Sequence, residues 1–261
     1  MLAHGSRRDG CWPDKSVRMI PVFIINLERS RDRWAAISAS GEGLDLRRVE
    51  AVDGHRVPAA EWQDFDPALA RRANGRTLGP GEYGCYRSHL RALSRVVEEG
   101  LDLAIIAEDD ILLNPELPER ARAIVEAAPH AGVVKLVNHR TTGFRRSGVS
   151  ARGDVFGRCL HGPQASAACY LVTRDGATRL LQTLSTMWLP WDVALERGWA
   201  TGVPTYTTEK GLVEFGPYRP ATTIDARYAE TKPLPWRRIG ALVFRTGDLL
   251  RRVAYALEAS H

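Results

Sequence analysis

Apolar runs of strand length alternate along this chain with stretches of helical period. Pro21-Val22-Phe23-Ile24-Ile25-Asn26-Leu27 is a continuous apolar run, the pattern of a strand buried on both faces. It gives way to the polar loop Glu28-Arg29-Ser30-Arg31-Asp32-Arg33, which leads into a short helix from Trp34. A second strand, Arg48-Val49-Glu50-Ala51-Val52, meets the turn pair Asp53-Gly54. Residues 55–80 show no sustained period and read as irregular loop with short helix. From Tyr83, Leu90, Leu93, Val96 and Val97 fall at helical spacing, and Gly100 is a natural stop. Leu101 to Ala107 predicts a third strand, 116–128 a helix, and Val133-Val134-Lys135-Leu136-Val137 a further strand. Ala167 to Thr173 predicts one more, followed by a helix over Arg174–Leu184. Such alternation means α/β architecture with a mainly parallel sheet.

With 261 residues, 44% hydrophobic and 26% charged, the chain can bury a core without staples, and disordered or fibrous classes are excluded. No stretch approaches a conventional membrane span. Cys11, Cys85, Cys159 and Cys169 lack the CxxC spacing of a structural zinc site and suggest no disulfide framework, so a reduced, cytoplasmic protein is expected. Residues 1–18 contain no apolar core of a secretory signal and read as a flexible leader. The formal charge of +5 is unevenly spread: residues 232–261 carry +4 and residues 1–18 carry +2, leaving 19–231 at −1. The main domain, 19–231, is therefore nearly neutral. It has no basic patch interleaved with aromatic residues, so nucleic acid is not expected as a partner.

The sharpest chemical feature is Glu108-Asp109-Asp110, three carboxylates at the carboxyl end of an apolar strand. They repel one another unless a cation or donor network compensates. Strand alternation would send Glu108 and Asp110 to one face and Asp109 to the other. Ligands of open α/β sheets bind at the carboxyl ends of strands, and hard cations such as Mg²⁺ or Mn²⁺ favour oxygen ligands. On position alone, a solvated acidic strand end, a helix cap and a phospho-acceptor site are equally open.

Four segments in order carry a resemblance. They are Phe23-Ile24-Ile25-Asn26-Leu27-Glu28-Arg29-Ser30-Arg31-Asp32-Arg33; Ala51-Val52-Asp53-Gly54; Gly81-Glu82-Tyr83-Gly84-Cys85-Tyr86-Arg87-Ser88-His89-Leu90; and Ile105-Ile106-Ala107-Glu108-Asp109-Asp110-Ile111. With Ala168-Cys169-Tyr170-Leu171-Val172-Thr173-Arg174 and Pro190-Trp191-Asp192, they make roughly 21–195 similar to glycosyltransferase family 25. The resemblance implies a GT-A-like, Rossmann-related fold, a UDP-sugar donor (typically UDP-galactose) and inverting transfer to a sugar hydroxyl of a glycan or glycolipid. Glu108 and Asp110 would then hold Mn²⁺ or Mg²⁺ against the leaving diphosphate.

Asn26 can hydrogen-bond base or ribose, and Arg29 or Arg33 can pair with phosphate, unless the arginines belong to a solvated loop. Asp53 is either a uracil or ribose contact or a turn former. Asp109 and Ser88 join the expected donor-binding set. His89 would bind phosphate, orient a carboxylate, or be a satisfied, half-buried histidine. Lys135 interrupts an apolar strand and needs an exit or an anionic partner, read as donor sugar or phosphate. Cys85 reads as packing. An inverting transferase needs a general base facing the acceptor hydroxyl. Asp192 is chosen because the tryptophans beside it would desolvate it and floor a sugar, with a helix cap as the alternative. Glu209 and Glu214 are reserves for the base. His161 is a candidate for an unassigned third metal ligand.

From Pro235 the chain reads as a basic amphipathic helix. Ile239, Leu242, Val243, Leu249, Leu250, Val253 and Leu257 fall on one face and Arg237, Arg238, Arg245, Arg251 and Arg252 on the other. Peripheral attachment to an anionic membrane surface, on the inner face of the cytoplasmic membrane, is the expectation. The competing reading is a helix packed on the core with a solvated basic face.

Overall fold

The computed structural model describes residues 19–217 and 239–258. The leader at 1–18, the boundary at 231/232 and Arg237 and Arg238 lie outside the described residues. Eight strands form the main sheet: β1 (Val22–Asn26), β2 (Leu46–Glu50), β3 (Leu103–Glu108), β5 (Val133–Lys135), β6 (Phe144–Val149), β7 (Val155–Cys159), β8 (Cys169–Thr173) and β9 (Thr205–Thr208). Two more, β4 (Ile111–Leu112) and β10 (Glu214–Phe215), pair antiparallel outside it. The main sheet runs β2-β1-β3-β8-β5-β9-β7-β6. The β1/β2, β1/β3 and β5/β9 pairs are parallel; β8 and β7 alone run against the other six strands. The α/β class is as the sequence predicts, and the sheet is mixed: six of its eight strands share one direction, while four of its seven pairings are antiparallel.

Helices cover both faces. On one side α2 (Pro67–Asn74), α3 (Pro80–Glu98), α5 (Arg174–Thr183) and α6 (Trp191–Leu195) pack against Phe23, Val49, Ile106, Tyr170 and Val172. On the other, α1 (Arg31–Ser40) and α4 (Leu117–Ala127) pack against Val22, Ile24, Ile105, Val134 and Leu171. Successive residues of β1 thus belong to opposite cores, which is why that strand is apolar throughout.

Helix starts follow local chemistry. Asp66 accepts from the N–H groups of Ala68 (3.0 Å) and Leu69 (2.8 Å), with Pro67 in the first turn of α2. Pro80 opens α3, and Glu82 reaches back to the Gly79 N–H at 2.8 Å while holding the buried Arg76. At the C-terminal end of the chain, α7 (Gly198–Thr201) is short and α8 (Ile239–Glu258) is long.

Helix α8 lies against the domain, and the face it turns inward is not the apolar one. Ala241, Arg252 and Ala256 are buried. Phe244 meets the ring of Trp188 edge-on at 5.6 Å. Asp248 accepts from Arg197 at 2.8 Å, Arg252 donates to Glu196 at 2.8 Å, and the Tyr255 hydroxyl accepts from the Thr205 N–H at 2.7 Å. Leu242, Val243, Leu249, Leu250 and Leu257 face solvent. Arg252, expected on a solvated basic face, is part of a buried ion-pair group instead.

Candidate active site

The carboxyl ends of β1, β2 and β3 share one edge of the sheet, and the candidate site lies there. The loop after β2 is pressed against the first turns of α3. A Cβ on Gly54 would stand 1.8 Å from the Pro80 carbonyl oxygen, and one on Gly84 would stand 2.4 Å from that of Val52. Only two glycines allow that approach. Ser88 fixes it: its hydroxyl donates to the Gly84 carbonyl at 2.6 Å and accepts from the Val52 N–H at 2.8 Å.

Between these segments lies a cleft of about 110 Å³. Arg29, Arg33, Asp53, Ser88, His89, Glu108, Asp109 and Asp110 all line it, together with Cys85 and His55. An adjoining basin of about 500 Å³ shares Leu27, Arg29 and Asp53 with the cleft and adds Arg31, Arg56 and Arg91. Eight of the predicted residues, from four separate segments, therefore converge.

Their hydrogen bonds redistribute the expected roles. β3 ends at Glu108, so strand alternation stops there, and Asp109 and Asp110 occupy a turn. All three acids line the same cleft, contrary to the two-faced arrangement expected for a continuing strand. Asp109 accepts from Asn26 Nδ2 at 2.6 Å and from Arg33 at 3.2 Å. Burial raises its pKa, and the Asn26 and Arg33 bonds oppose that rise. Glu108 Oε1 lies 3.1 Å from His89 Nε2, and His89 Nδ1 lies 3.1 Å from the Tyr170 hydroxyl. A carboxylate only accepts, so Nε2 carries the proton and Nδ1 accepts from Tyr170. The fully buried imidazole also stacks on Trp191, 5.1 Å between centroids and 7° from parallel. His89 therefore orients a carboxylate; with both nitrogens engaged it is not placed to bind phosphate.

Four expectations change. Asn26 is fully buried beneath the cleft, and its amide also accepts from Arg48 Nε (3.0 Å) and donates to the Ser30 carbonyl (3.1 Å). With its donors and acceptor occupied, Asn26 positions Asp109 rather than touching a base. Ser88 is similarly committed to backbone groups. Lys135 does not reach the cleft: its amine donates to Glu196 at 3.0 Å, and both side chains are 1% exposed. Glu196 also accepts from Arg252 and from the Gln164 N–H at 2.8 Å, so the anionic partner Lys135 needs is internal. Trp191 is 2% exposed and cannot floor a sugar; it backs His89.

Asp192, in the first turn of α6, lies off the cleft lining but within electrostatic reach of Glu108 and Cys85. Burial, then the neighbouring Glu196, pushes its pKa up to about 6, a value suited to proton transfer near neutrality. Arg29 pairs with Asp53, which also accepts from the His55 N–H at 3.3 Å and caps the short turn Gly54–Arg56. Asp53 is thus both turn former and cleft wall. Cys85 lines the cleft 4.0 Å from Glu108 Oε1, its thiol pushed well up by burial and then by Glu108. Cys85, His89 and Glu108 form a cluster whose ligand atoms lie within 4.8 Å of one another. Glu209 and Glu214 are exposed; Glu214 and Phe215 form β10 beside Ile111–Leu112, and Gly216 N–H donates to the Asp110 carbonyl at 2.6 Å. His161 is exposed near Gly143.

The support roles of Tyr170, Arg48 and Trp191 are not visible in the sequence. A polar-tipped aromatic in the apolar strand β8 was the available signal for Tyr170. Its meeting with His89 depends on β8 lying antiparallel beside β3.

A family model described as glycosyltransferase family 25 (LPS biosynthesis protein) matches residues 19–195. Among similar proteins, the probable inactive glycosyltransferase 25 family member 3 of Rattus norvegicus is 32% identical over 111 residues, 40% of this chain and 19% of that protein. A glycosyltransferase 25 family member of Drosophila pseudoobscura pseudoobscura is 33% identical over 118 residues, again 40% and 19%. Procollagen galactosyltransferase 1 of Danio rerio is 30% identical over 111 residues, 40% and 18%. The match spans about a fifth of the length of these curated relatives.

Proposed function

This chain belongs to glycosyltransferase family 25, and on that premise we propose that it transfers a hexose from a UDP-sugar to a sugar hydroxyl with inversion. Galactose is the proposed hexose, supported by the name of the procollagen galactosyltransferase relative. A lipopolysaccharide or lipooligosaccharide-type glycan is the proposed acceptor, supported by the family's description.

One observation carries the reading: four carboxylates (Asp53, Glu108, Asp109, Asp110) against two arginines line a cleft at the carboxyl edge of the sheet. So acidic a cleft repels a diphosphate unless a cation joins it. Glu108 and Asp110 are hard oxygen donors facing one space, which fits Mn²⁺ or Mg²⁺. Bound there, the ion would supply Lewis-acid stabilisation of the diphosphate. His89, held by Tyr170 and Trp191, fixes the Glu108 carboxylate. Arg33 and Asn26 hold Asp109. Arg29, 52% exposed and paired with Asp53 at the cleft wall, would exchange that partner for a phosphate. The basin with Arg31, Arg56 and Arg91 has the volume a nucleoside needs.

In the transfer, the bond from the anomeric carbon to the diphosphate oxygen breaks, and the diphosphate leaves with the electron pair. The acceptor oxygen forms the new bond from the opposite face as its proton passes to the Asp192 carboxylate. Burial prepares Asp192 for this role.

A second reading is a protein that binds nucleotide-sugar without transfer, favoured by the relatives named as inactive or probably inactive members of the family. Assaying a panel of nucleotide-sugars for binding, hydrolysis and transfer, with and without Mn²⁺, separates the two. Metal-dependent turnover of a UDP-hexose supports the first reading. Binding without turnover supports the second, and neither result with any donor removes both.

A further inference from the structure

Helix α8 docks with the wrong face for a simple core helix. Ala241, Phe244, Asp248, Arg252, Tyr255 and Ala256 recur at helical spacing and face the domain. The opposite side carries Leu242, Val243, Leu249, Leu250 and Leu257, with 67%, 65%, 42%, 66% and 48% of their surfaces exposed. Of the nine large hydrophobic side chains exposed among the described residues, these are five. Scattered single residues of this kind are ordinary, but one continuous stripe marks an interaction surface.

The surroundings of the stripe are basic. Arg245 and Arg251 are exposed along its two edges. Helix α2 runs beside the first turn of α8, where the Arg72 stem lies 3.3 Å from the position of a Gly240 Cβ, and Arg71 and Arg72 are both exposed. Asp248 is neutralised by Arg197. Glu258 is the one exposed carboxylate among the described residues of α8.

We propose that this stripe is seated on a lipid bilayer bearing anionic headgroups, with α8 lying in the plane of the interface. Charge decides between the candidate occupants. Two copies of the chain pairing through the stripe about a two-fold axis would bring the same arginines together. An anionic bilayer accepts the leucines into its acyl boundary and meets the arginines with phosphates. No described helix is long and apolar enough to cross a membrane. Because α8 is held by Arg252–Glu196 and Arg197–Asp248, the whole domain would take a fixed orientation on the surface. The inference stands apart from the proposed transfer, because the test uses no sugar donor.

The full chain is co-sedimented with vesicles of phosphatidylcholine, with and without phosphatidylglycerol, and its mass in solution is measured by light scattering. The expected result is a monomer that binds the anionic vesicles at least about tenfold more tightly than neutral ones. Leu242→Ser with Leu250→Ser, both largely exposed, should weaken binding at least about tenfold with an unchanged circular dichroism spectrum. Arg251→Glu, also exposed, should weaken binding to anionic vesicles alone, by about fivefold or more. Three results would overturn the proposal: no binding to anionic vesicles, binding that the leucine variant leaves intact, or a solution dimer that the same variant dissociates.

Discussion

Asn26 Nδ2 donates to Asp109 Oδ2 at 2.6 Å, tying the carboxyl end of β1 to the turn that follows β3. The amide oxygen meanwhile accepts from Arg48 in the middle of β2, so one buried side chain links β1, β2 and the turn after β3.

Replacing Asn26 by Ala should leave Arg48 with only the Leu27 carbonyl, at 3.4 Å, and Asp109 held by Arg33 alone. Loss of a buried hydrogen bond to a charged group costs about 1.5–3 kcal/mol. The melting temperature should fall by roughly 2–4 °C per kcal/mol. Donor affinity should fall with it, measured by titration calorimetry with UDP-sugar. Unchanged affinity would mean that Asp109 needs no positioning.

Asp110→Asn and Glu108→Gln should each lower Mn²⁺-dependent turnover by about a hundredfold or more, with the folded state retained because both groups line an open cleft. A chelator should abolish wild-type activity, and added Mn²⁺ should restore it. Full activity in the Asp110 variant would remove the cation from the mechanism.

Asp192 gives a signed pH dependence. Its pKa is raised to about 6 in the fold, against 3.8 for an ordinary aspartate. If it is the base, turnover should rise with pH through about 6 and level above it. Asp192→Asn should keep donor binding and lose that limb together with the activity. Stability runs the other way. The folded state holds this proton more tightly than the unfolded chain does, so this group's contribution is lost as pH rises through 6. Asp192→Asn should therefore unfold at higher temperature than wild type near neutral pH, by about 2 kcal/mol of stability, with the difference shrinking toward acid. An equal gain at every pH would refute this origin.

Lys135→Met should destabilise by about 3 kcal/mol, because Glu196 stays buried with one cation fewer. The Michaelis constant for the donor should stay unchanged, since Lys135 does not line the cleft. A large rise in that constant would return Lys135 to the donor site.

Gly84→Ala places a methyl group 2.4 Å from the Val52 carbonyl oxygen and 2.7 Å from the Gly54 nitrogen. Both obstacles are backbone, so the loop after β2 must move. A loss of about 1–3 kcal/mol or more should appear in chemical denaturation, together with weakened donor binding.

Local chemistry determined a good part of this protein in advance. β1 was legible because burial on both faces leaves a run of apolar residues that no other element of that length shows. The acidic triad at the end of β3 was legible because strands of such sheets carry ligands at their carboxyl ends. Helices α3 and α5 announced themselves by period. The hairpin of β6 and β7, and β9 with its Thr-Tyr-Thr-Thr, did not, because polar or edge strands lack alternation. Their pairing is decided by neighbours far along the chain. The same limit governs side chains. Lys135 needed an anion, and the sequence could not say that the anion is Glu196, 61 residues away. The stripe on α8 was readable as amphipathic, yet which face meets the domain was settled only by Glu196, Arg197 and Thr205. Period depends on a residue's nearest turns, whereas burial and charge partners depend on what the rest of the fold brings against it.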